Sequence, residues 1–186
     1  MNTQKLILIG ASTGGPGQIE KIIKSLRPDF DAAMIIAQHM QEAYVSSFMD
    51  YLNNNTSIEI LQARDGACIE NKKIYLLSQS TQIIKKFSSL YFSKSTQPHT
   101  YSPNINVLFN SVVAFSEMIQ VLCIILTGIG NDGAKGALNL YHAKAHCIAE
   151  AESSAIVYGM PKAAFELNPD IKQYDINQIC DAINRF

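Results

Sequence analysis

No block of lysine or arginine occurs in this chain, whose 15 basic and 16 acidic residues leave a formal net charge of -1. That balance excludes the basic footprint of a nucleic-acid binder and of a protein drawn to an anionic membrane surface. Long apolar segments are missing as well. The N-terminal run at 6–9 is too short for a signal-peptide core and far too short to cross a bilayer. A cytoplasmic protein without membrane insertion is therefore expected. The four cysteines, Cys68, Cys123, Cys147 and Cys180, form no C-x-x-C pair, and Cys123 lies inside the apolar run 121–126. This spacing argues against a disulfide framework or a cysteine zinc site and for reduced, mostly buried thiols. There is no internal repeat and no low-complexity segment.

What remains is an ordinary globular composition. With 47% hydrophobic and 17% charged residues, 186 residues suit one domain spanning 1–186 with a sizeable core. The run at 6–9, then Pro16 and Ile19, Ile22, Ile23 and Leu26, predicts strand, tight turn and helix. A second such unit follows, with a strand at 33–37 and a helix carrying Val45, Phe48, Met49 and Leu52 on its core face. Short strand-like runs at 58–62, 73–77, 82–87 and 90–92 predict a sheet edge or hairpin-like insertion, with one turn at Ser88-Ser89. Ile105, Leu108, Val112, Phe115 and Ile119 predict one helix, and 121–126 a central strand buried on both faces. Helix, strand, a loop at 150–154 and two further helices complete the chain. Successive βα units predict a three-layer, doubly wound, mainly parallel α/β sheet with a small antiparallel hairpin region. Its functional loops should lie beyond the strand C-termini.

Three of those strand ends carry chemistry. Gly10-Ala-Ser12-Thr-Gly14 is a G-x-S-x-G turn between strand and helix, the pattern that lifts a serine hydroxyl above a sheet. Alone, the same turn reads equally as a nucleotide or phosphate-binding module at a helix N-terminus, without catalysis. It lacks the Lys-Ser/Thr of a Walker A loop and does not fit G-x-G-x-x-G, and the second strand ends in His39 where ribose recognition wants an acid. Among the histidines, His39 alone follows an apolar strand: His99 lies in a proline-bounded loop, His142 on a helix, and His146 begins a strand at the opposite end. Asp132, in Gly130-Asn-Asp-Gly133, ends the third loop, where an aspartate also suits a turn or a helix cap. Hydroxyl, imidazole and carboxylate together are the set for acyl transfer through an activated serine. Their order, Ser, His, Asp, differs from that of α/β-hydrolases.

Four motifs in order, Gly10-Ala-Ser-Thr-Gly-Gly-Pro16, Ala37-Gln-His-Met40, Leu126-Thr-Gly-Ile-Gly-Asn-Asp-Gly-Ala134 and Ser153-Ser-Ala-Ile-Val-Tyr-Gly-Met-Pro161, resemble those of the CheB-type chemoreceptor methylesterase catalytic domain. The resemblance covers essentially the whole chain. It implies a Rossmann-like doubly wound fold and hydrolysis of glutamate methyl esters on methyl-accepting chemotaxis receptors, releasing methanol, without metal or organic cofactor. Carried onto matching positions, Ser12 is the nucleophile, His39 the general base and acid, and Asp132 the orienting carboxylate. The backbone amides of Thr13 and Ile129 are the oxyanion-hole donors, and Gly14, Gly15, Met40 and Met160 lie near the substrate.

The chain departs from the family pattern at several points. Ile129 stands where relatives usually have methionine, which is expected to change side-chain packing at the site. Glu150-Ala151-Glu152 replaces Gln-Asp-Glu, and Tyr101 and Asn106 replace a histidine and an aspartate. Relatives commonly carry an N-terminal receiver domain, whereas here the first catalytic strand starts a few residues after Met1, so phosphorylation-gated relief is not expected within this chain.

Overall fold

The structure, a computed structural model, describes residues 4–186; residues 1–3 of the expected domain lie outside the described residues. A seven-stranded parallel sheet organises it. In chain order the strands are β1 (Lys5–Ala11), β2 (Ala33–Gln38), β3 (Ile60–Gln62), β4 (Ile74–Leu76), β7 (Gln120–Ile125), β8 (His146–Glu150) and β9 (Lys172–Tyr174). The spatial order is β3-β4-β2-β1-β7-β8-β9, so the chain winds one way from β1 to the β3 edge and then the other way to β9. β5 (Thr81–Lys86) and β6 (Ser89–Lys94) form a separate antiparallel hairpin.

Period-two alternation in the central strands feeds two cores. Leu6 and Leu8 of β1, with Val121, Cys123 and Ile125 of β7, enter one apolar cluster; Ile7, Ile9, Leu122 and Ile124 enter the other. The first face is covered by α3 (Ile105–Val112), α4 (Ala134–His142) and α5 (Met160–Leu167), and by Ile83, Leu90 and Phe92 of the hairpin. The second is covered by α1 (Gly15–Ser25), α2 (Glu42–Asn53) and α6 (Ile176–Arg185). The result is the three-layer, doubly wound architecture expected, with its antiparallel hairpin.

Local differences have local causes. The helix expected to run through Ile119 is α-helical only to Val112 and tightens into a 3-10 segment, Val113–Met118. There Ser116 donates to Val113 O and Ala143 O, which draws the chain toward the end of α4. The hairpin turn is Phe87-Ser88 rather than Ser88-Ser89, because Lys86 pairs with Ser89. β9 has no hydrophobic signature, since Lys172, Gln173 and Tyr174 form an edge strand paired only with β8. Of the α2 stripe, Val45 and Leu52 are fully buried, and Phe48 and Met49 pack at the margin of the core. Cys68 is exposed and Cys180 half-buried, so only Cys123 and Cys147 fit the expectation of buried thiols. No helix among the described residues is long and apolar enough to cross a membrane.

Leu8→Ala should destabilise the protein by about 2–5 kcal/mol, read as a lower urea midpoint at unchanged m, because it empties the centre of a closed core. Phe87 is 99% exposed and holds φ 53°. Phe87→Gly should therefore raise stability by about 1 kcal/mol in the same assay, relieving left-handed backbone strain without loss of packing.

Candidate active site

Strand register brings the predicted residues to one place. Ala11 pairs with Gln38 at the ends of β1 and β2, so Ser12 and His39 leave neighbouring strands side by side, and His39 N-H donates to Ala11 O at 2.9 Å. On the other flank Gly10 pairs with Ile125 of β7, and Ser12 N-H donates to Thr127 O at 3.0 Å. This is the point at which the strand order reverses, the usual position for a site in such sheets. Gln38, almost fully buried, clamps the two exits: its side-chain amide donates to Ser12 O at 2.9 Å and to His39 O at 3.0 Å.

Ser12 stands two residues before Gly14, the left-handed N-cap of α1 (φ 83°), so the positive end of that helix is directed at the turn. Close approach explains two glycines. A Cβ at position 14 would lie 2.6 Å from Ile156, and one at 128 would lie 2.7 Å from the Ser12 Cβ. Gly15 packs against Gln38 and Ala11. Met160 is fully buried with its sulfur against Gly128, so it forms the floor of the loop rather than a surface contact, whereas Met40 is half-buried at the core margin. Among the described residues, neither Thr13 N-H nor Ile129 N-H donates to a protein acceptor. Ile129 is 63% exposed, so its side chain, at the position where relatives usually have methionine, lies on the outside of the loop.

His39 and Asp132 are in direct contact, Nε2 to Oδ2 at 2.8 Å. The carboxylate is nearly inaccessible and accepts three backbone bonds besides: Ile105 N-H to Oδ2 at 2.7 Å, and Asn106 N-H and Gly133 N-H to Oδ1, both at 3.0 Å. Burial alone would raise the pKa of Asp132, but the bonds from His39, Ile105 and Asn106 outweigh it and hold the group below the usual carboxylate range. An ionised carboxylate only accepts, so Nε2 carries a proton, and in the neutral ring Nδ1 is the nitrogen left with the lone pair. No hydrogen bond joins the Ser12 hydroxyl to the imidazole among the described residues. Tyr101 lies flat on the His39 ring, with centroids 4.8 Å apart and planes inclined by 9°. Asn106 accepts from Gly136 N-H at 2.8 Å and so ties α3 to α4. The two departures from the family pattern are thus built into the site.

His99, His142 and His146 take no part; His146 is exposed at the opposite end of the sheet, beside an apolar cavity of about 310 Å³. Among the described residues no cluster of three His, Cys, Asp or Glu side chains could hold a metal ion. Sequence reading missed Gln38, although it lies in the Ala37-Gln-His-Met40 motif, and it placed Glu150 in a loop. Glu150 instead ends β8, fully buried. An acid directly after the apolar run 147–149 was the available signal.

Residues 7–183 match the family described as CheB methylesterase. The chain is 32% identical, over 97% of its length, to protein-glutamate methylesterase/protein-glutamine glutaminase 2 of Carboxydothermus hydrogenoformans, of which it covers 52%. It is 34% identical, over 87% of its length, to the protein-glutamate methylesterase/protein-glutamine glutaminase of Bacillus subtilis, of which it covers 46%. The chain thus spans about half the length of the curated relatives it matches. Its fold superposes on the crystal structure of the Thermotoga maritima CheB methylesterase catalytic domain with a TM-score of 0.87, at 25% identity and 98% coverage of both chains. With fold, motif order and similarity in agreement over nearly its full length, the chain belongs to the CheB methylesterase family.

Proposed function

We propose that residues 1–186 form a cytoplasmic catalytic domain that hydrolyses glutamate methyl esters on the helical region of bacterial chemotaxis receptors, releasing methanol. Hydrolysis of receptor glutamine amides would use the same groups. The observation that carries this reading is the Asp132-held imidazole beside Ser12, at the end of an adjacent strand.

The chemistry follows from the tautomer. Nδ1 of His39 accepts the Ser12 proton as Oγ attacks the ester carbonyl carbon. The carbonyl oxygen becomes an oxyanion, which the Thr13 and Ile129 amides bind with help from the α1 dipole. Collapse of the tetrahedral intermediate breaks the bond to the methoxy oxygen, which takes the proton from the imidazolium and leaves as methanol. Water then attacks the acyl-serine by the same route and frees the glutamate carboxylate. Asp132 remains ionised throughout and stabilises the imidazolium. Gly14 and Gly15 let the chain after the serine pack closely on Ile156, Gln38 and Ala11, and Met160 supports the Ile129 loop from below.

Ser12→Ala should lose on the order of a thousandfold or more in methanol release from methylated receptor membranes, with unchanged circular dichroism. Equal rates in the two proteins would sink the mechanism. Asp132→Asn should lower kcat on the order of ten-thousandfold. Its amide would donate to Nε2, move the ring proton to Nδ1 and leave Ser12 without a base, while Ile105 N-H loses its acceptor. A kcat within about threefold of wild type would exclude Asp132 from that role.

A further inference from the structure

Glu150 is a fully buried carboxylate that the reaction above does not use. Among the described residues it forms no ion pair; Lys21 acts on it only at longer range. Three neutral donors replace its hydration. Thr127 N-H donates to Oε2 at 2.8 Å, the Ser154 hydroxyl donates to Oε1 at 2.9 Å, and the Gln18 side-chain amide donates to Oε1 as well. Gln18 also donates to Ser154 O at 2.9 Å, and Ile176 N-H donates to Ser154 Oγ at 3.1 Å. One carboxylate therefore ties together α1, the loop after β7, the loop after β8 and the start of α6.

Thr127 passes this anchorage to the serine. Its carbonyl accepts from Ser12 N-H at 3.0 Å, and its hydroxyl donates to Thr13 O at 2.9 Å and accepts from Val157 N-H at 2.8 Å. Thr127 thus holds both residues of the elbow from beneath, and Glu150 holds Thr127. Burial pushes the Glu150 carboxyl upward, against the bonds from Thr127, Ser154 and Gln18, so the position is a costly one for an acid. An apolar side chain would fill the space but leave three buried donors without an acceptor.

We propose that Glu150 is a positioning residue: through its bond to Thr127 N-H it fixes the loop after β7, against which the end of β1 presents the Ser12 hydroxyl and the Thr13 amide, and so sets the rate of acyl transfer. This rests on the serine chemistry proposed above. Misplacement of a nucleophile or an oxyanion donor by about 1 Å is sufficient to slow such a step about a hundredfold.

The test measures the rate of Ser12 labelling by a fluorophosphonate, with kcat and KM for methanol release, across a small set of variants. Glu150→Leu should label and turn over about 30-fold to 100-fold more slowly at nearly unchanged KM. Glu150→Gln should stay within about threefold of wild type, because its oxygen still accepts from Thr127 N-H and Gln18 can turn its unpartnered Oε1 toward the new amide. Wild-type labelling in Glu150→Leu, or equal losses in Glu150→Gln and Glu150→Leu, would each overturn the proposal. If Glu150→Leu does not fold, Glu150→Asp carries the test. It keeps the charge but withdraws the acceptor by one methylene, and labelling should fall about tenfold; wild-type labelling there is the contrary result. No labelling of the wild type overturns the serine chemistry and this inference with it. Labelling indifferent to residue 150 overturns the inference alone.

Discussion

The Asp132 carboxylate is the point on which this site depends. It accepts from the His39 imidazole, from the first two amides of α3 and from Gly133 at the N-cap of α4, all while nearly inaccessible to solvent. Four donors make burial of the charge tolerable, and the same four fix the carboxylate's direction. The imidazole is therefore oriented by a group that the fold needs anyway to begin a helix. Stability and chemistry share one side chain, which is why the capping role and the orienting role read from sequence do not compete.

A parallel sheet supplies the rest. Register between β1 and β2 sets Ser12 beside His39, and register between β1 and β7 sets Ser12 beside Thr127. No loop has to travel far, so the groups sit on the ends of buried strands rather than on mobile connections. Buried polar side chains then hold the strand exits: Gln38 between the first pair, Glu150 under the second. Aromatic stacking by Tyr101 covers one face of the imidazole. Around the serine the backbone is left open at two amides, and the helix behind them favours negative charge, as proposed acyl transfer requires.

Several features were visible in the chain alone because they are short-range or periodic. Unbroken apolar runs marked β1, β2 and β7, and three-to-four spacing marked α1, α3 and α4, since burial on two faces or one stripe leaves that trace. β9 left none, being an edge strand of Lys172, Gln173 and Tyr174 held by backbone pairing. The break of α3 into a 3-10 turn at Val113 depends on Ser116 reaching Ala143, a contact 27 residues away.

By itself the sequence determined the class of sheet, the strand ends that carry Ser12, His39 and Asp132, and the family to which their spacing is similar, because glycine turns and apolar runs are local statements. Tertiary structure decided which ring nitrogen of His39 faces the carboxylate, that Ile129 turns outward while Met160 lies beneath the loop, and that Glu150 belongs to a strand under the site. Those outcomes depend on which buried donors find acceptors across distant segments. Hydrogen-bond satisfaction in a closed interior is a property of the packed whole, and no window of neighbouring residues contains it.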